Sequence, residues 1–459
     1  MSLFASVSRA STSLRSRGMV SAWALNSQRS MASGARMSGR RAGTDDDGKN
    51  TRRRGRPVHS VAALQPQVGE PVDVKVGTLF PEKEFELSSG EVLPAGSVRI
   101  KYAILGNPQG RKILLCPSMS NSVHAVDSLD PDSGKEQRGW WRRTIGHGPE
   151  FGIDLDEFQV IVGAPMGSPF GSTSPLTPAG PGKEPFRAKF PLITPRDQAL
   201  HQKLMLDELG IEKVFAVVGG SMGGMQSIQF AANFPHMYDR FVAIAATAQT
   251  SPGTVALRSV QRQAVRMDPD FQNGEYKENP KHGLGIARMF GTICYRSPKE
   301  FDERFDWYPS VLEQSGEVSF EVERYLQHQG LKFTHQVNYD ANCYLLLSQS
   351  MDLMDVGQNV GSFEEGVKRI PPTKEGMLLS YSTDRLTPAQ DHERLARVLG
   401  QNEVNVHFEV IESKFGHDAF LIEGEAQPLN IRLRSFLGCK ENGRGVDAVH
   451  SLIKDMFEH

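Results

Sequence analysis

Short apolar runs alternate with amphipathic stretches through most of the chain, and that alternation predicts its architecture. Residues 98–106 (VRIKYAILG), 111–118 (RKILLCPS) and 158–165 (FQVIVGAP) are rich in β-branched and aliphatic side chains and end in turn-forming residues. Each reads as a strand. Residues 195–211 (PRDQALHQKLMLDELGI) read as a helix: Leu200, Leu204 and Leu209 fall near one face, Pro195 stands at its start and Gly210 ends it. An apolar strand at 213–220 (KVFAVVGG), a helix from 225 (MQSIQFAANFP) and a strand at 240–248 (RFVAIAATA) follow. Continuously apolar strands separated by helices predict an α/β fold with a mostly parallel central sheet covered on both faces.

Between about 255 and 365 the pattern becomes helical, polar and rich in methionine, with no strand expected. The strand signal returns at 375–382 (EGMLLSYS) and 405–413 (NVHFEVIES). The expected organisation is therefore a core at 70–254, a helical lid insertion at 255–365 and a second part of the core at 366–459.

The first 69 residues differ. Residues 1–44 carry many Arg, Ser and Ala and, before Thr44, no Asp or Glu, with Arg9, Arg15 and Arg17 placed to share one face of a short helix. This is the composition of a mitochondrial transit peptide, and a matrix location is expected from it, or a cytoplasmic one if the segment is not a signal. A basic linker follows, in which Arg54-Gly55-Arg56-Pro57 matches the core of a minor-groove-binding hook. One copy in an arginine-rich tail reads better as a solvated linker, so no nucleic-acid partner is expected.

Composition adds exclusions. The 459 residues carry a net charge of -2, so no global field draws the chain to nucleic acid or membrane. No run of eighteen apolar residues occurs. Cys116, Cys294, Cys343 and Cys439 are far apart and form no metal-binding spacing. No bound metal or cofactor is expected.

The chemistry concentrates at Gly219-Gly220-Ser221-Met222-Gly223. This G-x-S-x-G follows a strand and opens a helix, the setting of a nucleophile elbow. A serine hydroxyl needs a base and an orienting acid. In this arrangement they follow in the order acid, then histidine. Asp384 stands at the end of the strand at 375–382, with Asp391 as a competing acid in the next helix, and His417 stands in the loop after the last strand. Ser221, Asp384 and His417 are the expected triad. The Met222 N–H, with that of Met119 or Ser118 after an early strand, would form the oxyanion hole.

Seven segments resemble the homoserine O-acetyltransferase family of α/β-hydrolase-fold acyltransferases, which includes serine-acylating relatives. GGSMGGMQ, ITPRD, GWW, GSPFGSTSP, ARMFGTICYRS, DANCYL and GHDAFL occur in the family's order between about residues 75 and 437. The resemblance implies a ping-pong transfer from acetyl-CoA, as co-substrate, through acylated Ser221 to the hydroxyl of L-serine or L-homoserine in cysteine or methionine synthesis. It implies that Arg288 binds the acceptor carboxylate and Asp418 its ammonium group, and that the lid supplies a homodimer surface. The chain departs from the family at Pro117-Ser118-Met119-Ser120-Asn121, where the family has H-A-L-T-G. An esterase or thioesterase with the same triad is the competing reading. A zwitterion clamp made by Arg288 and Asp418 would distinguish the two.

Overall fold

The computed structural model describes residues 71–129, 134–311, 316 and 318–438. The transit-like segment, the Arg54–Pro57 motif and Cys439 lie outside the described residues.

Eight strands form the main sheet: β1 Val74–Leu79, β2 Ile100–Gly106, β3 Arg111–Cys116, β4 Phe158–Gly163, β5 Val214–Gly220, β6 Tyr238–Ile244, β7 Glu375–Tyr381 and β8 Asn405–Ile411. Their spatial order is 1-2-4-3-5-6-7-8. β2 runs antiparallel to β1 and β4, and the remaining pairs are parallel. The chain has the α/β-hydrolase fold.

The strands read clearly in the sequence because both faces of the sheet are covered. Leu114, Val217, Phe241 and Leu378 face one apolar layer, with Met225, Ile228 and Leu399 packed over them. Their neighbours Leu115, Val218, Val242 and Leu379 face the opposite layer, under Leu429 and Leu433. Successive residues of a strand point to opposite faces, so a strand buried on both has no polar positions to alternate with. Each fully buried aliphatic side chain contributes about 1.5–3 kcal/mol.

Ten helices are used below: α1 Pro195–Glu208, α2 Met222–Asn233, α3 Pro252–Arg266, α4 Lys281–Tyr295, α5 Pro298–Arg304, α6 Glu321–Leu331, α7 Ala341–Asp352, α8 Phe363–Val367, α9 Ala389–Gln401 and α10 Ala426–Leu437. α1 starts where the sequence places it. Thr194 and Asp197 form a reciprocal capping box around Pro195, an arrangement worth about 1 kcal/mol. Asp197 also accepts bonds from the Ser88 amide at 2.6 Å and hydroxyl at 2.7 Å, tying the early chain to α1.

Helices α3 to α8 fill the connection between β6 and β7. Ser310–Val311 pair there with Val318–Ser319, where no strand was expected. Two-residue strands are too short to print an alternation on the sequence. α6 runs into a π-helical turn at Lys332–Gln336, which carries Phe333. Among the described residues no helix is long and apolar enough to cross a membrane.

Candidate active site

Ser221 sits between β5 and α2 with φ 55° and ψ −124°. A serine rarely adopts that backbone conformation, and the strain lifts its side chain out of the sheet edge. The surrounding glycines are needed because main chain passes where side chains would be. A Cβ on Gly219 would lie 2.1 Å from the Gly223 carbonyl oxygen, and one on Gly223 would lie 1.9 Å from that of Cys116. The Ser221 amide donates to the Ile244 carbonyl at 2.8 Å, fixing the turn against β6.

The three residues expected as a triad come together. His417 Nε2 lies 2.8 Å from Ser221 Oγ, and His417 Nδ1 lies 2.8 Å from Asp384 Oδ2. An ionised carboxylate only accepts, so Nδ1 carries the proton and Nε2 accepts from the serine hydroxyl. Asp384 Oδ1 accepts from the amides of Leu386 and Thr387 at 2.8 and 3.0 Å, and Oδ2 accepts from the Thr387 hydroxyl at 2.6 Å. Burial pushes the Asp384 carboxyl upward, but His417 and the Thr387 bonds outweigh it and hold the carboxyl below its ordinary value. For His417, burial works against the charged ring, yet the facing Asp384 prevails and its affinity for a proton is raised. Asp391 lies in the first turn of α9, and Asp384 is the carboxylate bonded to His417.

The loop bearing His417 is held from several sides. Gly416–Leu421 forms a 3₁₀ turn. The Gly416 amide donates to Thr383 Oγ1 at 3.0 Å, and Trp141 Nε1 donates to the Phe420 carbonyl at 2.8 Å. Trp140 stacks on Trp141 and donates to the Ser122 carbonyl at 2.9 Å. The GWW segment thus joins the chain after β3 to the histidine loop. Thr387 was not singled out from sequence because its bond to Asp384 depends on a turn, and GWW was read only as a matching segment because the partner of Trp141 is remote.

Ser118 and Met119 border the same cavity as Ser221. The Met119 carbonyl accepts from the Tyr339 hydroxyl at 2.8 Å. Its amide has no hydrogen bond among the described residues. Met222 opens α2, whose first-turn amides favour negative charge. Pro117–Asn121 therefore keeps an unbonded main-chain amide on a residue that borders the cavity of Ser221.

Arg288 also borders the cavity. Its guanidinium lies over the rings of Phe333 and Tyr295, 5.2 and 5.7 Å from their centroids, and has no carboxylate partner among the described residues. Asp418 borders the cavity too, but Arg296 already stands 3.3 Å from it. The two residues expected to clamp a zwitterion are thus unequal: one is free and the other shares its charge. Sequence reasoning missed Arg258, a buried arginine of α3 on the cavity wall. Its partner Asp352 stands on α7, and no local signal connects them. Among the described residues no cluster of side chains could hold a metal.

Comparison with known proteins gives the family. Residues 114–424 match the family described as alpha/beta hydrolase fold. A homoserine O-acetyltransferase of Deferribacter desulfuricans is 35% identical over 351 residues, spanning 75% of this chain and 90% of the relative. A serine O-succinyltransferase of Litchfieldella anticariensis is 37% identical over 342 residues, 72% of this chain and 90% of the relative. The crystal structure of a homoserine O-acetyltransferase from Staphylococcus aureus superimposes with a TM-score of 0.62 at 27% identity, covering 83% of this chain and all of that one. With the sheet order and the Ser221 turn, these matches make the chain a member of the α/β-hydrolase-fold acyltransferase family that holds homoserine O-acetyltransferases and serine O-succinyltransferases.

Proposed function

We propose that the protein transfers an acyl group from a CoA thioester to the side-chain hydroxyl of L-serine or L-homoserine, through an ester on Ser221. The observation that carries this reading is an unpaired Arg288 guanidinium in the same cavity as the Ser221–His417–Asp384 relay. A hydrolase needs the relay, but it has no use for a free cation where an amino-acid carboxylate would lie.

In the first half-reaction Ser221 Oγ attacks the thioester carbonyl and gives its proton to His417 Nε2. The Met222 and Met119 amides receive the oxyanion. The C–S bond breaks, and the proton passes from His417 to the departing thiolate. In the second half, Arg288 holds the acceptor carboxylate and Asp418, shared with Arg296, receives the ammonium. His417 takes the acceptor hydroxyl's proton, the new ester bond forms, and the proton returns to Ser221 as its own bond to the acyl carbon breaks. Asp384 keeps the imidazole in the required tautomer and stabilises its charged form. Phe333, Tyr295 and Phe420 wall the site, favouring the amino acid over water.

Sequence resemblance implies acetyl-CoA as the donor, and the similarity to a serine O-succinyltransferase brings in a second. The transit-like composition of residues 1–44 supports a mitochondrial matrix location. Exposed apolar side chains on the helical insertion, such as Ile286 at 56% and Leu331 at 54%, support a homodimer through it.

Free-thiol release by the full-length protein tests the function, using acetyl-CoA and succinyl-CoA, each with serine, homoserine or neither, beside Ser221→Ala. Release that needs both Ser221 and one amino acid is expected. Release that needs Ser221 and ignores both acceptors would make the protein a thioesterase.

A further inference from the structure

Tyr339 is buried and does not border the cavity, yet its hydroxyl reaches the segment that stands beside Ser221. It follows the π-helical turn at Lys332–Gln336 and comes one residue after Asn338, whose φ of 49° is left-handed. Asparagine tolerates that conformation better than most residues. The Tyr339 carbonyl accepts from the Asn279 side-chain amide at 2.6 Å, and the Asp340 carboxylate accepts from the Cys343 amide at 2.9 Å to cap α7. The main chain around the ring is therefore held in place.

The ring itself is held as well. It stacks on Phe333, with centroids 4.8 Å apart and 17° between the planes. It meets Phe170 and Tyr344 edge to face, at 5.8 and 6.2 Å. Packed interiors leave a side chain so surrounded little room to swing. Its hydroxyl therefore donates to one place, the Met119 carbonyl at 2.8 Å.

Met119 lies in the segment Pro117–Asn121, where successive carbonyls are each claimed by a donor. Pro117 accepts from Gln226 Nε2 of α2 at 3.2 Å, Ser118 from the Asn121 amide at 3.1 Å, and Met119 from Tyr339. A trans peptide is planar, and its carbonyl and N–H point opposite ways. The bond to the Ser118 carbonyl thus orients the plane that carries the Met119 N–H, and the bond to the Met119 carbonyl orients the next plane. Fixing both planes sets the dihedrals of Met119. The second brace comes from 220 residues further along the chain. The Met119 amide has no hydrogen bond of its own among the described residues, so its direction rests on these neighbours. An oxyanion donor is effective when it is held in place before the charge develops.

Resting on the acyl transfer through Ser221 proposed above, we propose that Tyr339 is a positioning residue: its hydroxyl locks the Met119 peptide so that the Met119 N–H meets the oxyanion formed at the acyl carbonyl. Phe333, on which Tyr339 stacks, also carries the Arg288 guanidinium 5.2 Å from its centroid. One aromatic group therefore backs both the oxyanion donor and the cation assigned to the acceptor carboxylate. Tyr339 touches neither substrate, and its hydroxyl keeps its proton throughout.

The test compares full-length wild type, Tyr339→Phe and Tyr238→Phe, with whichever of acetyl-CoA and succinyl-CoA wild type uses better. Tyr238→Phe is the control, because it loses the same kind of buried bond, from the Tyr238 hydroxyl to the Ala231 carbonyl at 3.1 Å, and does not border the cavity. Single-turnover acylation of Ser221 is expected to fall about tenfold in Tyr339→Phe and to stay within about twofold of wild type in Tyr238→Phe. The acceptor KM and the acid limb of the pH profile stay where they are, since Arg288 and His417 keep their places. Unchanged acylation in Tyr339→Phe gives its hydroxyl a structural role only and overturns the proposal. A loss matched by an equal rise in acceptor KM, or by a shifted acid limb, overturns it too, because the effect would then run through Arg288 or the triad. Should Tyr339→Phe not fold, Phe170→Leu, which removes one support of the ring, is expected to slow acylation about threefold with the acceptor KM unmoved; unchanged acylation there overturns the proposal. Ser221-dependent thiol release that ignores both acceptors refutes the transferase reading alone, and acylation still decides on Tyr339. Without Ser221-dependent release from either donor, both fail.

Discussion

Gly223→Ala tests whether the close approach of α2 to β3 sets the geometry of the reaction. The added methyl carbon would lie 1.9 Å from the Cys116 carbonyl oxygen, 2.8 Å from its carbon and 3.1 Å from the Pro117 carbonyl oxygen, where real contacts stay above 3.0 Å. All three atoms are main chain, so no side chain can rotate away. The start of α2 and the end of β3 must separate by about 1 Å, and such a shift between reacting groups costs about 100-fold in rate. Met222 opens that helix and Met119 follows that strand, so the two proposed oxyanion donors move apart. Alanine is intrinsically better in a helix by about 1 kcal/mol, but overpacking costs about 1–3 kcal/mol, so the net effect is destabilising. Gly400→Ala in α9 is the control. Its methyl meets nothing within 4 Å, so it gains stability and keeps activity. The readouts are thiol release and thermal melting. The reasoning is refuted if Gly223→Ala melts no lower than Gly400→Ala and its kcat/KM stays within about threefold of wild type.

Other predictions follow from the relay and the acceptor pocket. Thr387→Val keeps the side chain's shape but removes the hydroxyl that donates to Asp384 at 2.6 Å; a stability loss of about 1.5–3 kcal/mol in denaturant titration is expected, with a fall in kcat, and an unchanged midpoint would refute it. His417 works as a base and its proton affinity is raised, so the acid limb of kcat/KM should lie above the ordinary imidazole value of about 6.5. The same shift makes protonation of His417 stabilising: that stability is complete below the unfolded value and is lost as pH rises through the folded one. A pH profile whose acid limb falls below the ordinary value would contradict both statements. Arg288→Met should raise the acceptor KM by about 100-fold, with a far smaller effect on single-turnover acylation of Ser221. Equal losses in the two would show that Arg288 does not address the acceptor.

The parts of the fold legible in the sequence are those whose environment repeats locally. β5 and β6 are covered on both faces, so they appear as unbroken apolar runs, and the Ser221 turn declares itself because main-chain crowding demands glycine at fixed positions. β1 escaped notice: it is an edge strand whose six residues are only partly buried or exposed, and neither an alternation nor an apolar run marks it. Ser221, Asp384 and His417 could be found because strand ends constrain where a triad can stand. Arg258 could not, since its burial depends on pairing with Asp352, 94 residues away. Asp418 was legible as an acid near the site, but its sharing with Arg296 was not. An ion pair between two loop residues follows from folding and has no spacing of its own.

The order in which the relay's members emerge has a consequence for synthesis. Ser221 and the glycines that strain it are complete once β6 docks against β5, but Asp384 and His417 arrive only with the connections after β7 and β8, and His417 is 196 residues behind the nucleophile. A nascent chain that has made β6 therefore displays its serine without a base, and a chain cut before residue 417 does the same. The relay is complete only with the connection after the last strand, in the loop that Trp141 holds.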